Sequence, residues 1–384
     1  MHKIIVCIAD GAADAPWLCP NGVTPLEKAQ TPVLDTMTRH SVAGLYYPIP
    51  EGFSPDSDVG NMSLFGYSPT QFHNGRAPIE AAALGIAASN DDLIWRVTFC
   101  TTEKNVITTP CASSISQKEG TELIHTLNAQ LGNTEFSFFP NKTYRHLLLQ
   151  RGGKQAKPVN TCGPHMLYQT DITDSMTSYS AELQIMMREA GKILSAHTSK
   201  ANAVWLWGQG SPYTLPAFSD LTKTNACIIS GVPLLHGLGT MANMSVIRSN
   251  KFTGLPDTNL HAKAAAALSF LQHDKNDVAF IHVEAPDHYG HLGDADGKRS
   301  AIERIDSELL PALLDAMPDA LIAVTADHLT PAATKSHAHG AVPFIAYHNS
   351  FPEQDKVTRF TESECKKGVH LSQDTLLLPY LISL

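Results

Sequence analysis

Short apolar runs alternate with amphipathic stretches along most of this chain. Lys3 to Ala9 is a continuous, β-branched apolar run closed by Asp10-Gly11, the pattern of a buried parallel strand that opens into a loop. The same pattern recurs at Val278 to Ala285, apolar except for His282 and Glu284, ahead of Pro286-Asp287. It recurs again at Ala320 to Ala326, apolar except for Thr325, ahead of Asp327-His328. Ala203 to Trp207 and Val342 to Tyr347 are further strand candidates. Helical patterns lie between: Leu26 to Met37, Ile79 to Leu84, Leu123 to Leu131, Ala181 to Leu194 and His261 to Leu271. The clearest starts at Ser300, where Glu303 completes a capping-box spacing and Ile302, Ile305, Leu309, Leu310, Leu313 and Leu314 share one face. Strands alternating with helices predict an α/β fold whose mostly parallel sheet is sandwiched by helices.

Between about residues 105 and 195 the texture changes to polar, with Ser/Thr clusters, Lys157-Pro158 and Gly163-Pro164-His165. This predicts a smaller α+β domain inserted over 106–195, leaving a discontinuous core of 1–105 and 196–384. A length of 384 residues fits that division at roughly 150 residues per domain.

Charge and composition narrow the function. A formal charge of -9 leaves no basic excess for nucleic-acid binding. No apolar run reaches the roughly 18–20 residues of a membrane span, and Asp10 interrupts the N-terminal run before a signal-peptide core forms. A cytoplasmic protein is expected. Its seven cysteines, 7, 19, 100, 111, 162, 227 and 365, include no C-x-x-C pair and read as free thiols.

The acidic residues carry the chemistry. Asp10, Asp287 and Asp327 each follow an apolar strand-like run, and in a parallel sheet the strand carboxyl ends share one edge, where ligands bind. Converging carboxylates resist joint ionisation unless cations neutralise them. His291 lies four residues after Asp287, His328 is adjacent to Asp327, and His337 follows shortly; His288 and His339 are the expected bystanders. Asp/His donor sets without Cys suit Mn²⁺, Mg²⁺, Co²⁺ or Zn²⁺, and this many donors suit two ions. Ser57, in a turn-rich stretch leading into an apolar run, is the candidate nucleophile near a helix N-terminus; its alternative is a plain N-cap. Arg76 and Arg145 are candidate ligands for phosphate or carboxylate, and His165 for proton transfer. Gly208-Gln209-Gly210 is too short for a dinucleotide fingerprint, and there is no P-loop motif.

These motifs resemble, nearly end to end, the cofactor-independent phosphoglycerate mutases of the archaeal type, within the alkaline phosphatase superfamily. The resemblance rests on Asp10-Gly11 with Asp14, SDVGNMSLFGYSP from Ser57, GRAPIEAA from Gly75, Trp205 to Gly210, Asp287 to His291, Asp327-His328 and His337 before Val342-Pro343-Phe344. It implies an alkaline-phosphatase-like core, an insert that covers the substrate, and two divalent metals, Mn²⁺ foremost. One metal would be held by Asp287, His291 and His337, the other by Asp10, Ser57, Asp327 and His328. The implied glycolytic reaction interconverts 3-phosphoglycerate and 2-phosphoglycerate through a phosphoserine at Ser57. Arg76, Arg96 and Arg145 would hold substrate anions, and His165 would act with Ser57. The chain departs from the family at Trp95-Arg96-Val97-Thr98-Phe99 and at Gly163-Pro164-His165-Met166. A phosphatase or phosphotransferase acting on another small phosphate ester, or a silent scaffold of the same fold, are the competing readings. The oligomeric state is left open.

Overall fold

The computed structural model describes residues 2–112, 115–155, 159, 161–197 and 199–384; Lys157-Pro158 lies outside them. It resolves into two compact units, one of residues 1–73 with 215–384 and one of residues 74–214.

The larger unit is built on one sheet. Its strands are β1 (Ile4–Ala9), β2 (Ser41–Tyr46), β8 (Ala226–Ile229), β9 (Ser245–Ile247), β10 (Val278–Val283), β11 (Leu321–Thr325), β12 (Val342–Tyr347) and β13 (Val369–His370), in the order β13-β2-β12-β11-β1-β10-β8-β9. Among the described residues only β12 runs against its neighbours, so the mostly parallel sheet between helices is present as expected. β1, β10 and β11 are buried along their whole length, which is why their sequences are apolar on both faces. In-register parallel pairing of β1 with β10 and β11 brings their carboxyl ends level, so Asp10, Asp287 and Asp327 emerge at one edge.

The smaller unit is built on an antiparallel sheet, with two long helices packed on it among the described residues. β3 (Leu93–Glu103), β4 (Val106–Thr109), β5 (Phe136–Lys142) and β6 (Arg145–Gln150) are ordered β4-β3-β6-β5, and β7 (Ala203–Gly210) pairs with the other edge of β3. Helices Gln117–Leu131 and Ala181–Ser195 bury Ile124, Leu127, Leu183, Met187 and Leu194 in a core with Trp95, Val97, Phe99 and Trp205.

Several sequence expectations shift. The second unit starts and ends outside 106–195, because β3 and β7 are hydrogen-bonded to each other; Ala203 to Trp207 therefore belongs to it and not to the core sheet. The stretch Leu26 to Met37 is two helices, Pro25–Lys28 and Pro32–Arg39, since Pro32 has no N–H and disfavours helical geometry at Thr31. The helix expected from Ser300 starts at Ala295, capped by Asp294, whose side chain accepts the Gly297 N–H; Ser300 sits inside it and bonds back to Asp296 O. That helix passes through a π turn at Ile305–Leu309 before Pro311, where a regular hydrogen bond is unavailable. The seven thiols are unpaired, and Cys7, Cys100, Cys227 and Cys365 are buried.

Candidate metal centre

Ser57 opens the helix Ser57–Leu64 and is its first residue; Asp56 occupies the cap position. The helix can reach the sheet edge because of Gly60: a Cβ there would lie 2.2 Å from the Asp327 carbonyl oxygen. That approach lets Asn61 Nδ2 donate to Asp327 Oδ2 at 2.7 Å and puts Ser57 Oγ 3.1 Å from His328 Nε2. Gly11, at φ +58°, makes a second close approach. A Cβ on it would meet Thr330 Oγ1 at 2.4 Å and Asp287 Oδ1 at 2.8 Å, and its N–H donates to Asp327 Oδ1 at 3.1 Å.

Asp287 and His291 share one face of helix Ala285–Leu292 at i, i+4, with His291 Nε2 3.3 Å from Asp287 Oδ2. His337 closes the group: its Nε2 is 3.4 Å from Asp287 Oδ1 and 3.0 Å from His291 Nε2, and its Nδ1 is 3.4 Å from Asp56 Oδ1. His328 Nε2 faces Asp10 Oδ1 at 3.4 Å and Asp327 Oδ2 at 3.5 Å, while Thr330 Oγ1 donates to Asp287 Oδ1 at 2.7 Å and sits 3.1 Å from His328 Nδ1. Asp10, Ser57, Asp287, His291, Asp327, His328 and His337 thus form one continuous cluster.

Its electrostatics need positive charge. Burial, then the neighbouring Asp327, Asp287 and Glu284, push the Asp10 carboxyl well above its ordinary range. Burial also drives His328 down to about 4, so this imidazole is a neutral donor. Burial would lower His337 too, but its bonds to Asp287 and Asp56 win and hold it up at about 10. Burial opposes ionisation of Asp287, yet His291 and His337 pull its carboxyl well below the usual value. Protons on imidazoles here do what a divalent cation would do better. The donors fit one: atoms of Asp287, His328 and His337 lie within 4.8 Å of one another, as do those of Asp10, Asp327 and His328.

The remaining sequence candidates lie in the second unit. Arg76 and Arg96 meet on the buried Glu80, with their Nε atoms 3.2 and 3.1 Å from its Oε1. The Arg96 guanidinium stacks 4.0 Å above the Trp207 ring, and the His165 ring stands edge-on to Trp207 at 5.8 Å. Arg145 is exposed and donates to the Tyr144 hydroxyl at 2.7 Å. Glu80 and Trp207, which organise this group, lie within quoted motifs but carried no assigned role in the sequence reading, as did Asn61; Thr330 and Asp56 carried none either. His282 and Glu284, which with Asp10 form a third set of close donor atoms, did leave a trace as polar interruptions of the β10 run.

Buried carboxylates and imidazoles gathered at the carboxyl ends of a parallel sheet define a metal-dependent α/β enzyme, and the family model of the Metalloenzyme superfamily matches residues 2–372. Among curated proteins, a 2,3-bisphosphoglycerate-independent phosphoglycerate mutase of Methanosarcina barkeri is 37% identical over 382 residues, covering 95% of each chain. Among solved structures, a protein of Pyrococcus horikoshii superposes with a TM-score of 0.75 at 27% identity, covering 96% of this chain and 92% of that one. The cofactor-independent phosphoglycerate mutase of Thermoplasma acidophilum gives 0.59 at 25% identity, covering 97% and 96%. The chain belongs to the 2,3-bisphosphoglycerate-independent phosphoglycerate mutase family.

Proposed function

We propose that this enzyme interconverts 3-phosphoglycerate and 2-phosphoglycerate, with Ser57 as the transient phosphoryl acceptor. The observation that carries the reading is the Ser57 hydroxyl, 3.1 Å from His328 Nε2 within the Asp/His cluster, in a chain 37% identical to a named mutase. Asp287, His291 and His337 are assigned to one divalent ion, and Asp10, Ser57, Asp327 and His328 to the other. When bound, the two ions, for which we favour Mn²⁺, supply the positive charge that offsets the transferring phosphoryl oxygens.

The rest is done by the chain. Ser57 sits at a helix N-terminus, where free backbone N–H groups favour an anionic phosphoryl group. Ser57 Oγ gives up its proton and bonds to phosphorus as the phosphorus–oxygen bond to the C3 oxygen breaks, and that departing oxygen takes up a proton. The C2 hydroxyl oxygen of glycerate then loses its proton and attacks phosphorus as the bond to Ser57 Oγ breaks, and Oγ regains a proton. Protons and electrons balance over the cycle. His165 is assigned to moving a proton between the glycerate hydroxyls, and Arg76, Arg96 and Arg145 to holding the phosphate and carboxylate. Water must be kept from the phosphoserine, and the second unit is the part we assign to that task. A role in glycolysis, in the cytoplasm, is part of the same proposal, and a small phosphorylated substrate is consistent with it.

The test follows 2-phosphoglycerate and free phosphate together after Mn²⁺-loaded protein meets 3-phosphoglycerate, with an EDTA-treated control. Isomer without phosphate, lost in EDTA, is expected. Phosphate release alone would convert the assignment to a phosphatase, and no reaction would remove phosphoglycerate as the substrate. A second prediction concerns ligands: Asp327→Asn should reduce bound Mn²⁺ from about two equivalents to about one, read by metal analysis after gel filtration. Two retained equivalents would strike Asp327 from the ligand set.

A further inference from the structure

β10 is buried along its whole length, yet it carries His282, which is 1% exposed, and Glu284 follows its last residue. His282 Nε2 lies 3.0 Å from Asp10 Oδ2. Among the described residues this nitrogen makes no hydrogen bond, and neither does the buried Asp10 Oδ1. A ring nitrogen sealed from water without a partner is costly, so what it faces must be asked of it. The other ring nitrogen accounts for the hydrogen: Nδ1 is 3.3 Å from Ser230 Oγ, which accepts the Val232 N–H at 3.0 Å and has a second lone pair for an Nδ1–H. That leaves Nε2 as a lone pair turned toward a carboxylate, an arrangement that is repulsive alone and favourable around a cation. One donor atom each from Asp10, His282 and Glu284 lie within 4.8 Å of one another. The spacing of Nε2 and Oδ2 is that of neighbouring corners of an octahedron whose metal–ligand bonds are about 2.1 Å long.

We infer that Asp10, His282 and Glu284 bind a third divalent ion, beside the two assigned above. An imidazole with two carboxylates and no thiolate suits Mn²⁺ or Zn²⁺. Asp10 then bridges two ions, with Oδ1 facing His328 Nε2 at 3.4 Å and Oδ2 facing His282. Ser230 supports the ring through its other nitrogen, as partners of ligating histidines usually do. Lys263, fully buried, donates to the His282 carbonyl oxygen and feels the charge of Glu284, so its ammonium is the competing source of positive charge. With that charge nearby and Asp10 shared, the third ion is the weakest of the three and is lost on gel filtration. The inference goes beyond the two-ion reading and has only Asp10 in common with it.

The experiment titrates metal-free protein with Mn²⁺ at equilibrium, reading free Mn²⁺ by its electron paramagnetic resonance signal, for the parent, Glu284→Gln, His282→Phe and Asp327→Asn. The parent should take up three equivalents, the last more weakly than the others. Glu284→Gln and His282→Phe should each weaken the third at least about tenfold and leave two tight equivalents, whereas Asp327→Asn should lose a tight one. Circular dichroism melting of the metal-free forms checks that each variant is folded, and Glu284→Gln, nearly isosteric at a half-buried position, tests the site even if His282→Phe does not fold. Saturation of the parent at two equivalents would overturn the inference and leave the two-ion reading standing, with Lys263 as the only cation this group needs. A third equivalent bound as tightly by folded Glu284→Gln protein would place that ion elsewhere and overturn the inference too. Fewer than two equivalents in all would strike both readings.

Discussion

Ser57→Ala should lower isomerisation by at least about 10⁴-fold while the protein still binds close to two equivalents of Mn²⁺, because removal of a nucleophile typically eliminates nearly all turnover. The hydroxyl is the group at stake: Oγ lies 3.1 Å from His328 Nε2, while the helix that carries it is held independently by Asn61 to Asp327 and by the Gly60 approach. Alanine is well tolerated at the first turn of a helix, and Asp56 remains as the cap residue, so the fold should survive. The measurement pairs a coupled assay of 2-phosphoglycerate formation with acid quench of ³²P-labelled substrate. Parent protein should trap label on the chain and the variant none. Turnover within tenfold of the parent would remove Ser57 as nucleophile.

Lys298→Met should cost about 3–5 kcal/mol of stability, the usual result when one partner of a buried ion pair is removed. Lys298 and Asp14 are both shielded from water, and the ammonium donates to Asp14 Oδ2 at 3.1 Å, Ala13 O at 3.1 Å and Thr330 O at 2.8 Å. Asp14 is woven further in: Oδ1 accepts the Ala15 N–H and Oδ2 the Ala332 N–H, while its own N–H goes to Glu362, which also accepts from Thr24 Oγ1. Burial raises the Glu362 carboxyl to about 7 and lowers the Lys298 ammonium, while the adjacent Asp14 works the other way on Lys298, so the pocket depends on the two partners facing each other. Methionine fills the space and leaves the Asp14 carboxylate and two carbonyls uncompensated. Urea unfolding of metal-free protein should show the loss, and adding Asp14→Leu should recover part of it, since replacing both partners by apolar groups is often near neutral. A change below about 1 kcal/mol would mean that water takes over the ammonium's role. Because the same ammonium ties the loop after β1 to the loop carrying Thr330, which bonds Asp287, Mn²⁺ affinity should fall as well.

Much of this arrangement was legible beforehand for a geometric reason. A buried parallel strand must be apolar on both faces, so an aspartate just beyond such a run marks a strand's carboxyl end, and Asp10, Asp287 and Asp327 could be placed together without knowing which strands are neighbours. The i, i+4 spacing of Asp287 and His291 was similarly local. Element boundaries were less legible where one residue overrules a periodic pattern, as Pro32 does, or where a cap lies upstream of the apolar face, as Asp294 does. The second unit extends beyond 106–195 because β3 and β7 pair with each other, and that membership depends on pairing partners about a hundred residues apart, which no local pattern shows.

Local sequence was enough to determine the strand and helix types, the three carboxylates at one edge and a serine at a helix N-terminus, since each follows from periodicity, caps and spacing within a few residues. Tertiary structure alone decided that Glu80 gathers Arg76 and Arg96, that Thr330 links Asp287 to His328, and that Lys298 closes on Asp14. Most of these contacts join residues far apart in the chain, and a hydrogen bond depends on distance and direction that folding sets and that no local pattern encodes.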